Sequence, residues 1–340
     1  MMSKRIARLL VWALAGLLPA GCGQDAPEEA EFKVALLTSG PVSDAGWYAG
    51  AYEGLLLIQD SLDAQVSHQQ TRSPAEFDEA FFSYGTAGYD LIFAHGFEYQ
   101  DAAIRAGEAF PEMTIMVSAG GRVSSNVLPL IFRLEEASYL AGMVAGRATR
   151  SGTVGMVGGV SIPPAVGTFR AFEAGVRATR PDAEVLEAFI GSWDDVAAAK
   201  EAAVAQLRRG ADVLIHNTDA ASFGVFQAVR EANESGATAW AMGMNRDQNQ
   251  VAPEVILGSA VIRIPDALLS AARTVLAGTM EEGARYHGLA NGGVDYVPNP
   301  EVPEMWPSEL EAEIEAARQA IRSGELVVPR IRFVEGEPGS

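Results

Sequence analysis

From residue 33 onward, short apolar runs alternate with longer segments in which apolar positions recur every three or four residues. That alternation marks βα units built around parallel sheets. The runs "KVALLTSG", "AQVSHQQ", "DLIFAHG", "MTIMVSAG", "GTVGMVGG", "AEVLEAFIG", "ADVLIHNTD", "TAWAMGM" and "VILGSAVIRI" read as strands, most of them nearly continuous in Val, Ile, Leu and Ala. Continuity of that kind predicts sheets covered on both faces.

Helix signals sit between the runs. Ser73, Pro74 and Glu76 form a capping box with proline at the first helical position. Ser192 with Asp195 is expected to open a second helix, which stops at Gly210. Ser308 and Glu311 are expected to cap "ELEAEIEAARQAIRS", where Leu310, Ile314, Ala317 and Ile321 make one apolar stripe and Gly324 the stop.

The alternation breaks in the middle. A helix from about Glu135 to Thr149 precedes a fresh start at "TVGMVGGV", so Phe132 to Glu136 reads as a crossing between two lobes. A second crossing is placed where "GSAVIRI" meets a helix through Pro265, and a third at the Gly- and Pro-rich "NGGVDYVPNP". The expected fold is α/β: two Rossmann-like lobes with parallel sheets joined by a three-strand hinge. Lobe 1 takes residues 33–133 plus about 264–292, lobe 2 takes 134–263 plus about 293–330, and 331–340 form a tail. Three crossings describe a hinge, and a hinge implies closure over something bound. No internal repeat is visible.

Composition narrows the partners. The 340 residues are 48% hydrophobic, enough for two lobes of about 100 to 200 residues each. A net charge of −19 repels nucleic acid and anionic membrane surfaces. At the N-terminus, Lys4, Arg5 and Arg8 precede an apolar stretch from Leu9 to Leu18 and then "PAGC", the order of an export signal. That stretch is too short to span a bilayer. Cys22 is the sole cysteine and excludes an intrachain disulfide. Its position after Ala20 and Gly21 resembles a bacterial lipobox, in which the cysteine is lipidated, although Pro19 stands where Leu is usual. The alternatives are ordinary cleavage after Ala20 or an incidental free thiol. Residues 23–32 then read as a polar tether, and export is expected either way.

Catalytic chemistry finds little support. His68, His95, His216 and His287 are dispersed, with no HExxH and no thiolate zinc set. Neither a GxSxG elbow nor a GxxxxGK[ST] loop occurs, and the glycines of "GTVGMVGG" lack dinucleotide spacing. No cofactor and no metal are expected.

The strand ends carry more. Ligands of open parallel sheets bind at the carboxyl ends of strands, and there the chain places "SGPVSDAGWY", "HGFEYQD", "SAGGR", "GGVSIPPAVGTF", "HNTDAASFGVF" and "GMNRDQN". Together they can stack a flat ring and hydrogen-bond a polar ligand. The candidate ligand-binding residues are Ser39, Asp44, Trp47, Tyr48, Phe97, Ser161, Asn217, Asp219, Phe223, Asn245 and Asp247. Each has a structural alternative. Asp44 could cap the following helix, Trp47 and Phe97 could pack within the protein, Phe223 or Phe226 belongs to the core, and Asn217 with Asp219 could shape an Asx turn.

Several motifs in series resemble one family. "GPVSDAGWYAGAYEGL", "FRLEEASYLAGMVAG", "GGVSIPP", "FEAGVRA", "GADVLIHNTD" and "NPEVPEMWPSELEAEIEAARQAIRSGELVVP" are similar, in order, to the basic membrane protein family of substrate-binding lipoproteins, nucleoside-receptor relatives among type 1 periplasmic binding proteins. The resemblance runs over most of residues 33–330. It implies a monomeric extracytoplasmic receptor, lipid-anchored at the membrane, that hands a purine nucleoside to an ABC permease and ATPase. By the same resemblance Asp44 hydrogen-bonds the ligand, Trp47 stacks on it, and Phe223 lies in the segment supplying the second lobe's ring. Three departures loosen the ligand: Asn245 replaces an aspartate that holds ribose hydroxyls, Tyr48 replaces Asn, and "HNTDAASFG" differs from a "GGTG" loop. A nucleobase or another flat heterocycle fits as well. The rival readings are a ligand sensor for a membrane signalling partner and a nucleoside hydrolase; a repressor is disfavoured by the export signal, the missing DNA-binding headpiece and the acidity.

Overall fold

The computed structural model describes residues 31–337. The export signal, Cys22 and nearly all of the tether lie outside the described residues. In chain order the elements are β1 (Lys33–Thr38), α1 (Trp47–Leu62), β2 (Gln65–Gln70), α2 (Pro74–Thr86), β3 (Leu91–His95), α3 (Gln100–Ala109), β4 (Thr114–Ser118), β5 (Val127–Phe132), α4 (Leu134–Ala148), β6 (Thr153–Gly158) and α5 (Pro163–Thr179). There follow β7 (Glu184–Phe189), α6 (Val196–Arg208), β8 (Val213–Asn217), α7 (Ser222–Glu234), β9 (Trp240–Asn245), β10 (Ile256–Ile262), α8 (Ile264–Leu276), β11 (Arg285–His287), β12 (Val294–Pro298) and α9 (Ser308–Ser323).

Two six-stranded sheets result, ordered β11-β5-β4-β3-β1-β2 and β12-β10-β9-β8-β6-β7. Every pair is parallel except β10 with β12. The α/β two-lobe architecture expected from the hydrophobic pattern is present. The two sheets share one strand order, although no repeat is visible in the residues. β3, β5, β8 and β10 are buried along their whole length, as strands covered by helices on both faces must be.

Nine strands were expected and twelve form among the described residues. The added ones are β5, β11 and β12. β5 carries Pro129 in the middle of "VLPLIF", and proline is found in sheets only where no ladder bond needs its N–H. It is tolerated because β11 pairs only with Leu130, Ile131 and Phe132, so Pro129 falls short of that ladder. β12, read as a connector, pairs antiparallel with β10 through Tyr296 opposite Ala260. Two caps are also corrected. Asp195, not Ser192, accepts from the Ala198 amide at the start of α6, while the Ser192 hydroxyl bonds the amides of Asp194 and Asp195. Ser308 is the first helical residue of α9, with Pro307 before it. The Ser73 cap of α2 forms as expected, its hydroxyl accepting from the Glu76 amide.

The chain passes from one sheet to the other at Arg133, returns at Arg263, and crosses again between His287 and Val294. The first two crossings have nearly the same backbone: φ −80°, ψ 58° at Arg133 and φ −87°, ψ 64° at Arg263. Each amide donates to the third crossing, Arg133 to the His287 carbonyl at 2.7 Å and Arg263 to that of Gly293 at 2.9 Å. The three segments are thus tied side by side. α4 and α5 approach closely beside them, because Gly142 and Gly175 present no side chain; a Cβ on Gly142 would stand 2.1 Å from the Phe172 carbonyl oxygen.

Candidate functional site

A cavity lies where the carboxyl ends of the two sheets face each other. The first sheet contributes Trp47 and Tyr48 at the start of α1, Gly96 to Glu98 after β3, Ala119 after β4, and Ile131 and Phe132 at the end of β5. Across from them stand Thr168 on α5, Trp193 in the β7–α6 loop, Asn217 and Asp219 after β8, Asn245 ending β9 and Ile262 ending β10. Glu135, one residue into α4, and Phe333, from the segment after α9, complete the wall.

The aromatic members are held by what lies behind them. Trp47 stacks on His95, centroids 3.9 Å and planes 27° apart, and meets the edge of Phe132 at 5.9 Å. His95 is fully buried. Its Nε2 donates to the Trp47 carbonyl oxygen at 3.1 Å, which leaves Nδ1 to accept from the Ser118 hydroxyl at 2.7 Å. Burial pushes this imidazole down to about 3, so the ring beneath Trp47 is neutral. Trp193 lies over Gly159, where a Cβ would stand 2.1 Å from its ring. That close approach accounts for one of the glycines in "GTVGMVGG".

The polar members form a chain. Ser39 donates to Glu98, and its Oγ lies 2.7 Å from the Tyr48 hydroxyl. The Tyr48 hydroxyl in turn hydrogen-bonds the Asp219 carboxyl. Burial and the negative charges of Asp44, Asp194 and Glu98 hold the Asp219 carboxyl far above the usual carboxylate range. Burial also pushes Glu135 up to about 7, with Glu136 adding to the rise and Arg330 and Arg133 opposing it. Asn217, which lines the cavity, donates to Thr168 Oγ1 at 2.7 Å, and that bond fixes its amide. Asn245 has φ 71°, a left-handed conformation that Asn accepts more readily than most residues.

Of the residues singled out from the sequence, Trp47, Tyr48, Phe97, Asn217, Asp219 and Asn245 line this cavity, and Ser39 stands behind Tyr48. Four others are placed elsewhere. Asp44 is fully buried and spends its carboxylate on α1, accepting from the amides of Gly46, Tyr48 and Ala49 at 2.8 to 3.1 Å. This is the helix-terminus alternative, and it accounts for the carboxylate without a ligand. Phe223 is 38% exposed in the first turn of α7, while Phe226 takes the core position. Asp247 is exposed and accepts from the Asn249 amide, and Ser161 is exposed ahead of α5. On the second sheet's side the ring in this wall is Trp193, which follows a strand just as the other loops do but lies in a stretch that reads as a helix start. Glu98 sat unremarked inside "HGFEYQD", and Phe333 had no signal at all. The segment carrying Phe333 returns to the first lobe, where the Glu335 amide donates to the Gly121 carbonyl at 2.7 Å and Phe333 meets Phe97 edge-on at 6.4 Å.

Gln248 reaches across the cleft. Its Oε1 accepts from His216 Nε2 and from the Met244 amide, and its Nε2 donates to the Ala45 carbonyl at 3.4 Å. Arg246 and Glu53 pair at 2.8 Å beside it. Among the described residues no group of His, Cys, Asp and Glu side chains is arranged to hold a metal ion.

Known proteins resemble this chain over nearly its whole length. A purine-binding protein of Brucella abortus is 26% identical over 321 residues, 94% of this chain and 88% of its own. Basic membrane protein A2 of Borrelia garinii is 27% identical over 304 residues, 87% of this chain and 88% of its own. Among solved structures, an ABC transporter solute-binding protein from Aeropyrum pernix superposes with a TM-score of 0.79 at 24% identity, covering 88% of this chain and 94% of its own, a likeness of fold. Residues 32–332 match the family described as PnrA-like ABC transporter substrate-binding proteins, and with that match the chain belongs to the Bmp family.

Proposed function

We propose that this protein captures a purine nucleoside, a nucleobase or a similar flat heterocycle outside the cytoplasm and delivers it to an ABC permease. The observation that carries this reading is one cavity walled by rings from both lobes, Trp47 and Phe97 on one side and Trp193 on the other, with amide and carboxyl groups between them. A ring enclosed between aromatic faces gains roughly 0.5 to 1.5 kcal/mol per pair beyond burial. The relative named as a purine-binding protein supports the same ligand class. Cross-cleft bonds from Gln248 to Ala45 and from Arg246 to Glu53 supply contacts that form when the lobes meet. Anchoring through a lipidated Cys22 and action as a monomer belong to the same proposal.

Mass spectrometry of small molecules released from the purified protein, followed by calorimetry with purines and nucleosides, tests it directly. Release and tight rebinding of a flat heterocycle is the expected result; a bound peptide or aliphatic sugar would sink the reading. Incubation with inosine should return it unchanged, and free hypoxanthine would make the protein a hydrolase instead. Metabolic labelling with a radioactive fatty acid should mark the parent and not Cys22→Ala.

A further inference from the structure

The wall of the cavity carries three carboxyl groups, Glu98, Glu135 and Asp219, and no lysine, arginine or histidine. Two of them are deeply buried, Asp219 at 5% exposure and Glu135 at 8%. Neither is matched by a basic side chain in an ion pair among the described residues, whereas most other buried or half-buried carboxylates of the chain are spent. Asp44 holds the start of α1, Asp212 accepts from Thr149, Arg150 and Ser151, and Asp295 pairs with Arg318. Arg133 and Arg330 are close enough to moderate Glu135, but they do not line the cavity. The charges acting on Asp219 are negative, those of Asp44, Asp194 and Glu98, and the Tyr48 hydroxyl is its hydrogen-bond partner.

Burying carboxyl groups without cations is costly unless something else neutralises them. A cationic ligand would supply the charge that the wall lacks. The same wall holds Trp47, Phe97, Phe132, Trp193 and Phe333, and the faces of such rings attract positive charge. Carboxyl groups set among aromatic faces, inside a chain of net charge −19, form a site of strongly negative potential.

We infer that the ligand carries a positive charge, so that among flat heterocycles the cavity selects an organic cation. This rests on the heterocycle reading above and names the substrate class within it.

The test uses two matched pairs of probes in calorimetry on the full chain: adenosine against 1-methyladenosine, which is positively charged at neutral pH, and quinoline against N-methylquinolinium. Each cation should bind at least about tenfold more tightly than its neutral partner, the size expected of one desolvated cation–π or ion-pair contact. In Asp219→Asn that preference should shrink to roughly threefold or less. Glu98→Gln, at an exposed position where folding is not at stake, should shrink it in the same direction. Equal or tighter binding of the neutral members overturns the charge inference while leaving the heterocycle reading in place. Binding of N-methylquinolinium with neither purine supports the charge and removes the purine. Failure of all four probes to bind overturns the inference, as does a preference unchanged in both variants.

Discussion

Trp47 lies nearly flat on His95, ring centroids 3.9 Å apart, and His95 in turn donates to the carbonyl oxygen of Trp47 itself. One face of the indole is thus occupied from below by a neutral ring, and the other is turned to the cavity. On the function proposed above, a single aromatic residue serves both packing and binding, and its removal must be read on two scales.

Replacing Trp47 by Ala is expected to lower affinity for the bound heterocycle by at least about tenfold and to cost roughly 1 to 2 kcal/mol of folding stability through loss of the His95 stack. Calorimetry and denaturant unfolding separate the two effects. Full affinity together with a large stability loss would make Trp47 a core residue only.

The buried histidines and Glu135 predict opposing pH trends. Burial holds His95 at about 3 and His216 at about 4, so both rings are neutral when folded and take up a proton near 6.5 when unfolded. The unfolded chain therefore binds more protons below 6.5, and stability falls as the pH drops, by about 1.4 kcal/mol per unit for each ring, down to the folded value. Glu135, raised to about 7, runs the other way: it keeps its proton when folded and loses it near 4.5 when unfolded, so its contribution fades as pH rises through that window. Glu135→Gln should gain on the parent by about 1.4 kcal/mol per unit between those values. Urea titrations at pH 5 and 6.5 measure it, and a constant difference would remove the buried carboxyl from the account.

Gly142 and Gly175 set the spacing of α4 and α5. A Cβ on Gly175 would stand 2.0 Å from the Tyr139 carbonyl oxygen, against backbone that cannot yield. Gly175→Ala is expected to cost about 3 kcal/mol in urea unfolding, as overpacking of a rigid contact does. A midpoint within error of the parent would refute so close an approach.

Gly121 lets the C-terminal segment lie against the first lobe; a Cβ there would meet the Phe333 carbonyl oxygen at 2.4 Å. Gly121→Ala should loosen this segment and, with Phe333→Ala, weaken ligand binding by about three- to tenfold through faster dissociation. Stopped-flow fluorescence follows the release, and limited proteolysis the loosening. Unchanged dissociation in both variants would confine Phe333 to packing.

Much of the fold was legible because periodic burial is a local property. "ADVLIHNTD" reads as a buried strand with a polar end, and β8 is that strand. β5 is not among the runs read as strands; it carries Pro129, and the tolerance of that proline depends on how far β11 extends beside it. Trp47, Tyr48, Asn217 and Asp219, which line the cavity, were legible from their places after strands. Asp44 was equally visible, and its carboxylate is taken by its local partners, the first amides of α1, which compete with any ligand through proximity. Trp193 was passed over because Asp195 beside it announced a helix.

By itself the sequence determined the βα alternation, the two lobes and the rich loops at the strand ends, all of which follow from period, turn chemistry and the connection rules of parallel sheets. Only the tertiary structure decided which side chains share one space. Glu98, Glu135, Asp219 and Phe333 are separated by up to 235 positions, and no local pattern links them. Their meeting depends on how two separately folded sheets and the last segment of the chain come together, and from that meeting the negative, aromatic character of the cavity arises.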